Sequence, residues 1–173
     1  MRAWLAKLWA RNVIATVVAL GAIAVVIVFA GLSDSWAAYR HSVVPGAVVP
    51  VGQSGQAGGY TWKVVGTKHL NRNPQRFGPA LPSGTVLRVV TVERTGPPPE
   101  KKVCNGVITD GRQRWKSERV GGITAPDGDD DGVTNLCSEP GLLQFSFVLP
   151  RHVVPTAMDV VEFDGAITVR LLL

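Results

Sequence analysis

Leu142-Leu143-Gln144-Phe145-Ser146-Phe147-Val148-Leu149-Pro150 is the stretch that decides the fold class. Its large apolar residues, Leu143, Phe145, Phe147 and Leu149, recur at every second position with Gln144 and Ser146 between them, which places them on one face of a strand. A helix would need them three and four apart. Upstream, YTWKVVGT (residues 60–67) divides in the same way, Tyr60, Trp62 and Val64 against Thr61, Lys63 and Val65. TVLRVVTVE (residues 85–93) is β-branched and apolar on both faces, as befits a central strand. VCNGVITD (103–110) runs into Asp110-Gly111 and then RQRWKSE, while AMDVVEF (157–163) and AITVRLLL (166–173) are joined by Asp164-Gly165. Asp-Gly supplies the positive φ that tight hairpin turns require. With a first short strand near Ala47–Val51, the pattern predicts an all-β antiparallel sandwich of about seven or eight strands over residues 47–173. No amphipathic helix of ten or more residues is predicted after residue 32, which disfavours an α/β enzyme fold built on a parallel sheet.

Ahead of this domain, VIATVVALGAIAVVIVFAGL (Val13–Leu32) carries no charge over twenty residues. At about 1.5 Å rise per residue a helix of that length reaches about 30 Å, the thickness of a bilayer's hydrocarbon core. The segment is therefore expected to be one transmembrane α-helix in contact with the lipid bilayer. Arg2, Lys7 and Arg11 precede it, so the positive-inside rule puts residues 1–12 in the cytoplasm and exports the rest. Trp4, Trp9, Trp36 and Tyr39 lie where amphipathic rings settle at the two interfaces. The alternative is a cleaved signal peptide, whose apolar core is usually shorter, about 7 to 15 residues, and ends at a better small-residue site than this one. Residues 33–46, rich in small residues and without helical period, are expected to form a stalk.

Of 173 residues, 18 are basic and 13 acidic, a formal charge of +5. Arg2, Lys7 and Arg11 account for three of those charges, and no acid precedes Asp34, so the remaining chain carries only +2. Nucleic-acid binding would need its excess charge on the folded domain, and is not expected. Cys104 and Cys137 are the only cysteines, and in an oxidising exterior such a pair reads as a disulfide. Free thiols are the alternative, and a metal site is disfavoured because His41, His69 and His152 stand singly.

Several segments, in this order, resemble the immunoglobulin-like superfamily that includes the mycobacterial immunoprotective extracellular antigen and many actinobacterial and Firmicute lipoproteins and anchored proteins. They are Val51-Gly52-Gln53 before Gly59-Tyr60-Thr61-Trp62-Lys63-Val64, then Leu81-Pro82-Ser83-Gly84-Thr85-Val86-Leu87-Arg88-Val89-Val90, Thr109-Asp110-Gly111-Arg112, and Glu139-Pro140-Gly141 leading into Phe145-Ser146-Phe147-Val148-Leu149-Pro150. The resemblance implies an immunoglobulin-like sandwich outside the cytoplasm, and it brings no catalytic residues with it. The chain departs from the pattern at residues 93–102, around Pro97-Pro98-Pro99, and at the acidic stretch 119–137.

Within that stretch Asp127, Asp129 and Asp131 alternate, Gly132 offers a turn and Val133 a carbonyl, the first half of a calcium loop. The second half fails, because Ser138 stands where the bidentate glutamate belongs and Glu139 comes one residue late. A solvated acidic loop is the competing reading. A second constellation is basic, with Lys68, His69, Arg72 and Arg76 in one loop and Arg112, Arg114, Lys116 and Arg119 with Trp115 in another. If the two share an end of the domain, they suit anionic headgroups or wall polymers. No GxSxG, SxxK or HExxH motif occurs, and an enzyme would need a triad gathered from distant loops. The reading is thus a single-pass inner-membrane protein whose exported domain binds another envelope protein through residues 68–82, 94–102 and 112–137. The alternative is a module that binds calcium, anionic lipid or a cell-wall polymer. Homo-oligomerisation is left open.

Overall fold

The computed structural model describes residues 2–75, 78–97, 104–118, 123, 133–134, 137 and 141–173. They fall into two compact units, Met1–Arg40 and His41–Leu173. The first is helical: α1 (Arg2–Ile27), a π-helical turn over Val28–Leu32, and α2 (Ser33–Val43), which carries the helix into the second unit. From Trp9 onward this helix is long and apolar enough to cross a membrane. Its few hydroxyls bond back along the helix: Thr16 donates to the Asn12 carbonyl at 2.9 Å, Ser33 to Phe29, and Ser35 to Gly31 at 3.0 Å.

The expected stalk needs correcting here. Residues 33–43 are helix, and only 44–47 are irregular. α2 buries none of its eleven residues, so no apolar stripe betrays it in the sequence. It forms because a helix already nucleated in the apolar run propagates easily through Ala37 and Ala38.

The second unit is mostly β. Its strands are β1 (Val48–Val49), β2 (Ser54–Ala57), β3 (Tyr60–Leu70), β4 (Thr85–Thr95), β5 (Cys104–Thr109), β6 (Arg114–Lys116), β7 (Val133–Thr134), β8 (Gly141–Pro150), β9 (Ala157–Glu162) and β10 (Ile167–Leu172). Ten strands thus stand among the described residues where about seven or eight were expected. The additions are β2, hidden in a Gly-rich stretch, and β7, only two residues long. One sheet has the order β1-β10-β9-β5-β6 and the other β2-β3-β4-β8-β7. Pairing is antiparallel except for β1 with β10 and β7 with β8.

Both sheets contribute to one core. Leu143, Phe145, Phe147 and Leu149 of β8 are buried as their alternation demanded, together with Val90, Val92 and Trp62. Ile108, Met158, Val160, Val169 and Leu171 join the same cluster from the other sheet. The sheets approach closely at Gly106 of β5, where a Cβ would lie 2.7 Å from Phe145 Cδ1 and 2.9 Å from Phe147 Cζ. The two Asp-Gly turns behave as read: Gly111 and Gly165 adopt φ of 92° and 90°. The Asp164 carboxylate accepts the Ala166 N–H at 3.0 Å.

Cys104 and Cys137 form the disulfide, their Cα atoms 5.5 Å apart. It ties the start of β5 in one sheet to the segment that precedes β8 in the other.

Two outcomes test this account. Gly106→Ala should cost about 1 to 3 kcal/mol in chemical denaturation, because the two phenylalanines must move. Reduction of the disulfide, closing a loop with sequence separation 33, should lower unfolding free energy by roughly 3 to 4 kcal/mol, read from denaturation with and without reductant.

Candidate binding surface

Strand directions sort the loops into two ends. β3 ends, β4 begins, β8 ends, β9 begins and β5 turns into β6 at one end, bringing together residues 71–75, 78–84, 110–113 and 151–156. Backbone hydrogen bonds tie these segments together within each sheet, and the chain from Arg151 to Thr156 links one sheet to the other. The Arg151 N–H donates to Gly84 O at 2.9 Å, the Thr156 N–H to Thr109 O at 2.8 Å, and the Leu173 N–H to Thr156 O at 3.1 Å. Arg72, Arg112, Arg151 and His152 are all exposed here. The carboxylate among the described residues of these loops is Asp110, and its Oδ1 is occupied by the N–H groups of Arg112 at 2.8 Å and Gln113 at 2.7 Å. Those two bonds hold the Asp110 carboxyl below the usual carboxylate range. Two of the loops singled out as basic therefore share one end, which is cationic.

The individual residues sort less simply. Lys68 and His69 lie in β3, not in a loop, because the strand continues past a bulge between Val64 and Gly66. Lys68 is exposed, and Arg72 follows in the first bend. Arg112 and Lys116 are exposed. Trp115, named with this basic cluster, is half-buried: opposite Ile108 in the β5–β6 ladder, it packs against the core. Arg114 faces outward but is engaged, since its Nη2 donates to Asp159 Oδ2 at 3.0 Å. Arg76, Arg119, Asp127, Asp129 and Asp131 lie outside the described residues, and Val133 opens β7. No cluster of three metal-ligating side chains occurs among the described residues.

Asp159 itself escaped the sequence reading. It is fully buried on the outer face of its sheet, where Arg170 grips it with Nε on Oδ1 at 2.7 Å and Nη2 on Oδ2 at 2.9 Å. That grip raises the Arg170 pKa. Asp159 and Arg170 are direct cross-strand partners. The signal was available as an acid in the middle of one apolar strand and a lone base in the next, on either side of Asp164-Gly165.

The opposite end holds the β2–β3 turn, Thr95-Gly96, Cys137 and residues 163–166. The expected contact segment 94–102 starts here, on the other end from residues 71–75 and 78–84. The chain coming from α2 also arrives here, as the Gly46 N–H donates to Ile167 O at 2.9 Å. Arg94, only 3% exposed, stands 4.8 Å from the Tyr60 ring centroid and 5.7 Å from that of Trp62, and donates from Nη1 to Cys137 O at 2.7 Å. A shallow cleft of about 370 Å3 opens between the β2–β3 turn and Thr95-Gly96.

No family model, curated protein or solved structure matches the chain.

On β3, His69 faces Arg88 of β4. Partial burial and, second, the Arg88 charge push the His69 pKa below its ordinary 6.5. Between the two values the unfolded chain binds more protons than the native one, so stability is full above pH 6.5 and falls as pH drops through the folded value. His69→Gln should flatten this acid-side decline in Tm while changing stability little at about pH 8.

Proposed function

We propose that the protein is a single-pass inner-membrane binding module. Its N-terminus is cytoplasmic, and an exported immunoglobulin-like sandwich engages an acidic surface of another envelope protein. The observation that carries the reading is the gathering of Arg72, Arg112, Arg151 and His152 at one end, opposite the end where the chain arrives from the helix. A tethered binder is served by contacts at the end remote from its tether.

Strand order supports the immunoglobulin-like part. Taking β3, β4, β5, β7, β8, β9 and β10 as strands A to G, the sheets contain the orders A-B-E-D and G-F-C of that fold. β7 departs from it by running parallel to β8. Membrane attachment is supported by the one helix long and apolar enough to span. The same cationic end favours a second reading, binding of an anionic wall polymer or anionic headgroups.

The test is a photo-crosslinker at position 112 in intact cells, with a second at Phe163, which is 89% exposed at the opposite end. One envelope protein should be captured from position 112 and not from 163. Joint replacement of Arg72, Arg112 and Arg151 by Glu should weaken its binding at least about tenfold, at about 0.5 kcal/mol or more per rim charge. Capture from Phe163 alone, or indifference to the charge reversal, overturns the reading. Adducts with polymer or lipid in place of protein shift it to the second.

A further inference from the structure

β3 is eleven residues long, but β2 pairs only with Tyr60–Lys63. From Val64 to Leu70 one side of β3 bonds to β4, and among the described residues no strand lies along the other. The free edge runs about 23 Å, at about 3.3 Å per residue, and presents backbone donors and acceptors ready to pair. Gly66, Thr67, Lys68 and His69 are exposed along it.

The charges beside this edge have one sign. Lys68 lies on it, His69 is on the inward row, and Arg72 follows it. Arg88 is the unusual member. Val86, Arg88, Val90, Val92 and Arg94 share the inward row of β4, whose valines pack in or against the core. Arg94 donates from Nη1 to Cys137 O and lies beside two aromatic rings, and Arg114 and Arg170 are paired with Asp159. Arg88 sits between Phe147 and His69 in the ladder, and its Nε is shut off from solvent with no hydrogen-bond partner among the described residues. A buried donor left in this state is costly, and a cation directly across from another basic side chain adds to the cost.

We infer that the free half of β3 is a docking edge for an extended acidic segment of the partner, which adds a strand there and brings a carboxylate to Arg88 and His69. This rests on the reading of the domain as a binder of an acidic partner and specifies where and how it binds. Main-chain pairing gives such a complex its affinity, and the charge on alternate side chains of the added strand gives it selectivity. The bulge between Val64 and Gly66 and the exposed Lys68 discourage indiscriminate pairing, and a lysine does not repel an acidic strand.

The probe is a synthetic eight-residue peptide alternating Asp with Thr or Val, offered to the full chain in nanodiscs of zwitterionic lipid. A peptide with Lys in place of Asp is the control. Amide hydrogen exchange of residues 65–70 should slow at least tenfold with the acidic peptide and not with the basic one. Arg88→Met and, separately, Lys68→Glu should abolish the slowing. Lys68 is exposed, so its variant keeps the test alive should Arg88→Met misfold. Equal protection by both peptides, none by either, protection already present without peptide, or protection that survives both substitutions overturns the inference. Capture of a partner from position 112 would stand in each of those cases.

Discussion

The constraint around which the β unit is packed is the contact of Phe145 and Phe147 with Gly106. Two sheets normally stack about 10 Å apart, with side chains from both filling the gap. Here two rings from one strand of the second sheet take the place that a side chain of β5 would occupy. The facing strand must therefore present bare backbone at that position. Cys104, two residues earlier on the same strand, is bonded to Cys137, so β5 is fixed to the opposite sheet by covalent and apolar contacts within a few ångströms of each other. Ile108, Met158 and Phe147 then complete a continuous buried layer.

Around that layer the arginines illustrate how a domain of little net charge can be strongly polarised. Three of them are neutralised or satisfied internally: Arg114 and Arg170 share Asp159, and Arg94 lies beside two aromatic rings with a carbonyl to bond. Arg72, Arg112 and Arg151 are displayed, while Arg88 lies on the inward row of β4. Among the described residues Glu93, Glu162 and Asp164 fall at the other end, so part of the charge is separated along the strands without appearing in the net charge. A composition-level count misses such a dipolar arrangement, because it depends on which loops the topology brings together.

How much was legible can be argued residue by residue. The period of two in β8 was readable because Leu143, Phe145, Phe147 and Leu149 are fully turned to the core while Leu142, Gln144 and Val148, which alternate with them, are only partly buried. The Asp-Gly turns were readable because few residues other than glycine tolerate their backbone geometry. The disulfide was readable from a lone pair of cysteines. α2 was not, since it packs against nothing and hydrophobic periodicity records only packing. β2, with its single buried residue Ala57, gives no alternation to detect. The basic site was legible as composition and illegible as geometry. Trp115 and Arg114 are adjacent in sequence, yet one packs on the core and the other reaches Asp159, a distinction set by strand register alone.

The arrangement of β1 beside β10 has a mechanical meaning. The bonds from the Gly46 N–H to Ile167 O and from the Arg170 N–H to Ala47 O join the tether's side of the domain to its last strand, and the two strands run the same way. Tension arriving along the backbone from the helix pulls β1 lengthwise past its neighbour. The bonds are then strained together in shear, not parted singly like teeth of a zip. A domain gripped at its far end and held by this strand would resist traction through that clamp before its core felt any load.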